Sequence, residues 1–288
     1  RDSPSVNLKK ETNMNMNKKV ILLTGASSGI GFETAKRLAN EGHIIYGAAR
    51  RVERMAELKE KYSVIPVALD VTDTSSCRQV VAQILEEQQR LDVLINNAGY
   101  GSFGAVEDVS LEEAKRQFEV NVFGLARLTK EVLPVMRQQH QGRIINVSSM
   151  GGRLTTYFGG WYHATKYAVE GLSDALRMET KGFGIDVSLI EPGGIKTEWG
   201  NIAADHLEQS AKGGAYEAEA AKTAAGIRKQ YAGTMMSDPS VVAKAIDKAV
   251  NQKRPKTRYV IGFGAKPLIF LHSILPARCF DWLMMHAS

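Results

Sequence analysis

Val20-Ile21-Leu22-Leu23-Thr24 is an unbroken apolar run that leads straight into Gly25-Ala26-Ser27-Ser28-Gly29-Ile30-Gly31, then into a helical pattern reaching Leu38 and closing at Gly42. A strand apolar on both faces needs cover on both sides, and a helix that follows at once carries the chain back over the sheet, so the next strand runs parallel. Three glycines divide the work of the turn: Gly25 allows the tight bend, Gly29 lets backbone approach a pyrophosphate, and Gly31 lets the helix pack close to the sheet. Free N–H groups at the helix start then face the same point. A glycine triplet alone also fits a flexible loop; its place between a strand and a helix favours a nucleotide site.

The pattern repeats along the chain. His43 to Ala49 reads as a strand, Val52 to Lys61 as a helix, Val64 to Leu69 as a strand ending at Asp70, and Ser75 to Gln89 as a helix with Val80, Val81, Ile84 and Leu85 on one face. Leu91 to Ile95 is the next strand and ends in Asn96-Asn97-Ala98-Gly99; a long helix carrying Asn121 is expected from Leu111 to Leu133, stopping near Pro134. Ile144 to Val147, Ile185 to Ile190 and Tyr259 to Ile261 complete the strands. Alternation on this scale predicts an α/β fold with a parallel sheet and helices on both faces.

With 288 residues, the chain has enough material for one large domain. Residues 1–17 are polar, lack the apolar core of a signal peptide, and are expected to be disordered or non-native sequence outside the fold. The domain is expected to span 18–264, with 198–237 covering the substrate and 265–288 forming a C-terminal helical extension. Cys77 and Cys279 are the only cysteines, with no Cys/His cluster at metal spacing, so no disulfide framework or metal site is expected and a reducing cytoplasm fits. A net charge of +6 is mild. The Lys253-Arg254-Pro255-Lys256 run reads as a solvated loop, and nucleic-acid binding would want a larger basic face with aromatics interleaved.

Ile144 to Lys166 carries the chemistry. Tyr162 and Lys166 are one helical turn apart on a shared face. A phenol, with an unperturbed pKa of about 10, becomes a useful acid or base near neutrality when a cation stabilises its phenolate, and Lys166 has the charge for it. Ser149, at the end of the preceding strand, can hold a carbonyl oxygen while the phenol gives it a proton. A Tyr-x-x-x-Lys pair arises easily by accident; this one sits where a strand ends and a helix begins, the place where open α/β sheets bind ligands. His163 points off that face and reads as structural or substrate-lining.

Taken together, these residues resemble the short-chain dehydrogenase/reductase family from Lys18 to about Gly264. Five motifs stand in the family's order: Thr24-Gly25-x-x-x-Gly29-x-Gly31, Asn96-Asn97-Ala98-Gly99, Asn121, Ser149 with Tyr162-x-x-x-Lys166, and Pro192-Gly193 followed by Thr197. The resemblance implies a three-layer Rossmann fold with a seven-stranded parallel sheet and a nicotinamide cofactor. It implies Tyr162 as acid/base, Ser149 orienting the substrate oxygen, Lys166 lowering the tyrosine pKa and binding the nicotinamide ribose, and Asn121 holding a relay water. Ser149 rather than Ser148 matches the family spacing to the tyrosine. Cofactor contacts are implied from Gly25, Ser27, Ser28, Gly29, Ile30 and Gly31; from Asp70 and Val71 near the adenine; from Asn97, Ala98 and Gly99; and from Pro192, Gly193, Ile195 and Thr197, the last near the carboxamide. The family commonly pairs through the helices holding Asn121 and Tyr162, so a homodimer or homotetramer is expected.

NADP(H) is the expected form, because the second strand ends at Ala49, where an NAD-binding protein usually has an acid, and Arg50 follows to meet a 2′-phosphate. Residues 197 to 237 leave the common core and hold Trp199, Tyr216 and Tyr231. The apolar stretch from Pro267 to Met285 is too short and broken to span a bilayer, which leaves it packed on the core or a partner subunit, lining a substrate entrance, or resting on a membrane surface. A bulky hydrophobic ketone, aldehyde or secondary alcohol is the expected substrate. The competing function is a nucleotide-binding redox sensor or scaffold without turnover.

Overall fold

The computed structural model describes residues 18–286, so the expectation for residues 1–17 lies outside the described residues. Seven strands form one parallel sheet: β1 (Val20–Thr24), β2 (Ile44–Ala49), β3 (Ile65–Ala68), β4 (Val93–Asn96), β5 (Gly142–Val147), β6 (Ile185–Pro192) and β7 (Arg258–Ile261), in the spatial order β3-β2-β1-β4-β5-β6-β7. The order reverses between β1 and β4, which pair from Ile21↔Val93 to Leu23↔Ile95. Beyond the carboxyl ends of those strands the crossovers diverge and leave a crevice.

Both faces of the sheet are covered. On one, α1 (Gly29–Asn40) and α9 (Pro239–Asn251) bury Leu38, Val242 and Ile246 against Ile21, Leu23 and Ile145. On the other, α3 (Thr74–Gln88), α5 (Leu125–Gln139) and α6 (Gly160–Thr180) bury Val80, Ile84, Leu128, Val132, Met136 and Leu176 against Leu22, Leu94 and Ile144. A short α2 (Ala56–Tyr62) leads into β3, and α4 (Leu111–Phe118) leads into a π-helical segment, Glu119–Gly124, that runs on into α5. Asp73 caps α3 by accepting from the Ser75 and Ser76 N–H groups, and Ser110 caps α4 by accepting from the Glu113 N–H.

Three features depart from the sequence reading. Pro134 does not end its helix; α5 continues to Gln139, because Val132 and Met136 on either side of the proline are fully buried and hold the helix to the sheet. The helix α9 was not anticipated, although Asp238 accepts from the Ser240 N–H and Pro239 occupies the first helical position, both ordinary start signals. The C-terminal extension is two helices, α10 (Ala265–Ile274) and α11 (Ala277–His286), separated at Leu275-Pro276. Only Ala265 and Phe280 are buried there, while Phe270, Ile274, Trp282 and Met285 remain exposed. Among the described residues, no helix is long and apolar enough to cross a membrane.

Candidate active site

The glycine turn is compact because it is built without side chains. Gly25 and Gly29 take positive φ values of 69° and 52°. A Cβ on Gly31 would collide with the Gly25 carbonyl and the Asn97 amide, and one on Gly29 would lie 3.3 Å from Thr197 Cγ2. The turn is therefore wedged between the end of β4 on one side and Thr197 on the other. The β4 end is locked in place by Thr24, whose hydroxyl accepts from the N–H groups of Asn97 (3.0 Å) and Ala98 (2.9 Å), while the Asn97 side chain donates to the Thr24 carbonyl at 3.0 Å. Ser28 precedes α1 in an extended conformation with no side-chain cap, and no acid stands in the first turn of the helix. Its N–H groups are thus free for an anion, and Ser27 and Ile30 flank them half-buried. This cradle, which any Cβ would fill, fits the pyrophosphate of a dinucleotide.

At the ends of β2 and β3 lies an open cavity of about 440 Å³, lined by Arg50, Asp70, Thr72, Glu112, Lys115, Arg116, Glu119 and Val120. The Asp70 carboxylate accepts from the Thr72 N–H (2.9 Å) and hydroxyl (2.7 Å), which, with Arg50 and Arg127 nearby, hold its pKa below the usual range. The Val71 carbonyl is tied to Arg127 at 2.6 Å. Lys115 and Arg116, in the last turn of a helix far along the chain, were not singled out by sequence; nothing local marks them as sharing a cavity with Arg50.

The crevice continues to Gly99, whose missing side chain leaves Asn121 Oδ1 and Lys166 Nζ within 3.0 and 3.9 Å of where its Cβ would be. Asn121 lies in the π-helical segment, a distortion frequent at functional sites. Its Oδ1 accepts from the Tyr100 N–H at 3.0 Å, and its Nδ2 donates to the Tyr100 carbonyl (2.8 Å) and to Thr165 Oγ1 (3.1 Å). Lys166 donates to the Val147 carbonyl at 3.0 Å and lies 5.8 Å from the centre of the Tyr162 ring. Ser149, extended at the start of a 3₁₀ turn (Met150–Gly152), accepts from the Gly151 N–H at 3.0 Å. Beneath them a buried ladder joins sheet to helices: Asn96 donates to Asn146 (2.9 Å) and Thr129 (3.1 Å), and Asn146 to Ser173 (2.8 Å).

Burial dominates the titration of the pair. The Tyr162 phenol is pushed up to about 12 by burial, against a smaller lowering from the Ser149 hydroxyl, and the Lys166 ammonium is pulled down to about 8 by burial, against the charge of Glu170. The lowering expected from Lys166 does not offset this burial. The cause is the aromatic cover: Trp199 stands 5.2 Å and Phe103 5.9 Å from the Tyr162 ring, centre to centre, and Tyr231 lies 6.3 Å beyond Trp199. That cover comes from α7 (Trp199–Ala211) and α8 (Glu217–Ala232), which bury Ala203, Ala204, Leu207, Ala220 and Ala224 in one cluster with Phe103, Phe158 and Tyr162. Among the described residues, the extension α10–α11 contributes nothing to that cluster.

His163 is structural. Its Nδ1 bonds the Gly151 carbonyl at 3.1 Å and its Nε2 accepts from the Thr156 N–H at 3.1 Å, closing the 150–159 segment over the site. At the far wall Pro192 ends β6, the Gly193 N–H donates to the Ile261 carbonyl at 2.8 Å, and Ile195 is buried beside β7.

A family model described as short chain dehydrogenase matches residues 19–207. A Helicobacter pylori protein named "Probable short-chain type dehydrogenase/reductase VdlC" is 38% identical over 91% of this chain and 95% of its own length. A 3-ketodihydrosphingosine reductase of Bacteroides thetaiotaomicron is 45% identical over 63% of this chain and 66% of its own. Among solved structures, the closed form of a serine dehydrogenase complexed with NADP+ superposes with a TM-score of 0.74 at 27% identity, covering 84% of this chain and 94% of that one.

Proposed function

Because this chain belongs to the short-chain dehydrogenase/reductase family and is a nicotinamide-dependent oxidoreductase, we propose that it is an NADP(H)-dependent carbonyl reductase or alcohol dehydrogenase acting on a bulky hydrophobic substrate. The observation that carries the reading is the convergence of Tyr162, Lys166, Asn121 and Ser149 beneath an aromatic cover, at the end of a cradle shaped for a dinucleotide. The cofactor supplies or accepts the hydride. Tyr162 gives the proton to the substrate oxygen in reduction and takes it in oxidation; Ser149 orients that oxygen; Lys166 stabilises the phenolate; Asn121 sustains proton exchange behind Lys166.

The NADP(H) preference rests on Ala49, which offers no carboxylate to the ribose, and on Arg50, with Lys115 and Arg116 lining the same cavity to meet a 2′-phosphate. The apolar substrate rests on Phe103, Phe158, Trp199 and Tyr231 around the phenol, and the name of the Bacteroides relative points the same way. A homodimer or homotetramer through α5 and α6 completes the reading.

Tyr162→Phe tests it. The variant is expected to fold, to bind NADPH, and to lose at least about 100-fold in turnover, the usual contribution of a positioned proton donor. Turnover near that of the parent removes Tyr162 from the mechanism, and failure to consume NADPH across steroids, aryl ketones, sugars and thioesters favours a sensor without turnover.

A further inference from the structure

The C-terminal pair of helices carries a surface that takes no part in the proton chemistry. Ala265 is the buried residue of α10 and Phe280 that of α11, and Phe280 meets the His272 ring edge-on at 4.8 Å, pinning the two helices together. Helical geometry then fixes their outer faces. Lys266, Phe270 and Ile274 follow one another at four-residue spacing on the side of α10 away from Ala265 and His272. Arg278, Trp282 and Met285, at spacings of four and three, lie on the side of α11 away from Phe280. All six are exposed, Phe270 and Trp282 by 62% each. Each stripe therefore opens with a cation and continues with large apolar side chains. Among the described residues neither Lys266 nor Arg278 is paired with an acid, and Asp281 is the one acid in the sequence between Gly262 and Ser288. The surface also reaches the catalytic crevice: Phe263, exposed at the head of α10, accepts at its carbonyl from the Gly194 N–H (2.9 Å), next to Gly193 in the crevice wall.

We propose that α10 and α11 form a docking surface for an anionic phospholipid layer. Single exposed apolar residues are ordinary, but stripes of them on two adjoining helices mark a face that something covers. A lipid surface supplies both things these stripes ask for: an apolar layer for Phe270, Ile274, Trp282 and Met285, and phosphates for Lys266 and Arg278, whose stems run along the apolar side while their charges stay with the headgroups. An exposed indole suits that boundary. Each helix has 10 residues and so a length of about 15 Å, half the ~30 Å core of a bilayer; the pair rests in the surface and does not cross it. A second copy of this chain is the other occupant with a matching apolar face. It would set Lys266 and Arg278 against the same cations, with one Asp281 per copy to answer them, so charge favours the lipid. Because α10 starts beside Gly193 and Gly194, the docked layer stands next to the crevice, and an apolar carbonyl compound would reach Tyr162 from the phase in which it dissolves. That last step rests on the proposed substrate; the docking does not.

Flotation of the full chain with vesicles is the test, run without cofactor or substrate so that its failure and that of the proposed function are told apart. The chain should rise with vesicles of mixed phosphatidylcholine and phosphatidylglycerol, and several-fold less with phosphatidylcholine alone. Phe270→Ser combined with Trp282→Ser should cut partition into the mixed vesicles at least about tenfold, because two large apolar side chains no longer leave water. Lys266→Glu combined with Arg278→Glu should bring the mixed vesicles down to the level of phosphatidylcholine. All four residues are exposed, so the melting temperature of either double variant should stay near that of the parent. A parent chain that floats with neither vesicle overturns the proposal, as do equal flotation with both and undiminished binding by either folded variant. Light scattering that shows the parent mass halved by Phe270→Ser with Trp282→Ser, with no vesicle bound, also overturns it and gives the face to a second copy. Where a variant does not fold, the unaltered chain carries the test: mixed vesicles with brominated acyl chains should quench part of its tryptophan emission, and unquenched emission overturns the proposal.

Discussion

Acid should unfasten this protein at His163. The ring is buried with one face of its hydrogen bonding fixed by backbone: Nε2 accepts from the Thr156 N–H, which requires the proton of the neutral ring to sit on Nδ1 and point to the Gly151 carbonyl. Protonating Nε2 sets it against the Thr156 N–H and leaves the Thr156 hydroxyl, 2.9 Å away, to accept; burial pulls the ring down to about 4 from its ordinary 6.5, against a smaller rise from the Gly151 carbonyl. A base with a depressed folded-state pKa stabilises the fold fully above the unfolded value, and that stability is lost as pH falls from 6.5 towards 4. At about 1.36 kcal/mol per pH unit the complete loss is about 3.4 kcal/mol, of which about 2 kcal/mol is gone at pH 5. The assay is urea unfolding of the parent and of His163→Gln between pH 7.5 and 5. The variant should be less stable at pH 7.5, since the Thr156 and Gly151 groups lose their fitted partner, and the gap should narrow by about 2 kcal/mol at pH 5. The Glu191 carboxyl, raised to about 6, works in the opposite direction on acidification, but it does so in both proteins and leaves the difference unaffected. A gap that stays constant across the range refutes the assignment of His163 as a buried neutral clamp.

Other predictions concern cofactor, substrate and cover. Ala49→Asp with Arg50→Ala should shift the ratio of kcat/KM values from NADPH towards NADH, because a carboxylate is placed at the ribose and the cation removed; a parent enzyme that already prefers NADH rules out the assignment. Trp199→Ala takes away the indole that stands tilted 5.2 Å from the Tyr162 ring, so kcat/KM should rise for the bulkiest ketones relative to the smallest, and an unchanged size preference means Trp199 does not shape the cleft. In a substrate panel followed by NADPH consumption, apolar carbonyls should outpace sugars and thioesters, and the reverse ranking defeats the hydrophobic reading.

What could be read from the sequence and what could not divide along physical lines. The strands were legible because a sheet covered on both sides needs runs such as Val20–Thr24, all of whose residues are buried. The cradle was legible because close backbone approach excludes every residue but glycine, and Gly25, Gly29 and Gly31 stand at positions where a side chain would strike the turn, Asn97 or Thr197. The π-helical segment at Asn121 was not, since its residues read as one continuous helix and only the register of the hydrogen bonds changes. Nor was the tie from Glu170 to Arg258, two residues joined by tertiary packing with no local pattern to announce it. His163 reads as one more residue beside the tyrosine until the 150–159 segment is seen folded back onto it.

The electrostatic state of the site also bears on direction. On the proposed roles, a phenol pushed up to about 12 is fully protonated near neutrality, so Tyr162 waits as a proton donor, which is what carbonyl reduction requires. Lys166, pulled down to about 8, sits close enough to neutrality that its charge depends on its neighbours. On those roles, donation leaves a phenolate that a charged Lys166 would stabilise beneath the aromatic cover of Trp199 and Phe103. Oxidation asks the reverse of the same residues: the phenol must first lose its proton in a buried aromatic setting, which favours high pH. On these roles, reduction is expected to lead near neutral pH and oxidation to gain as pH rises.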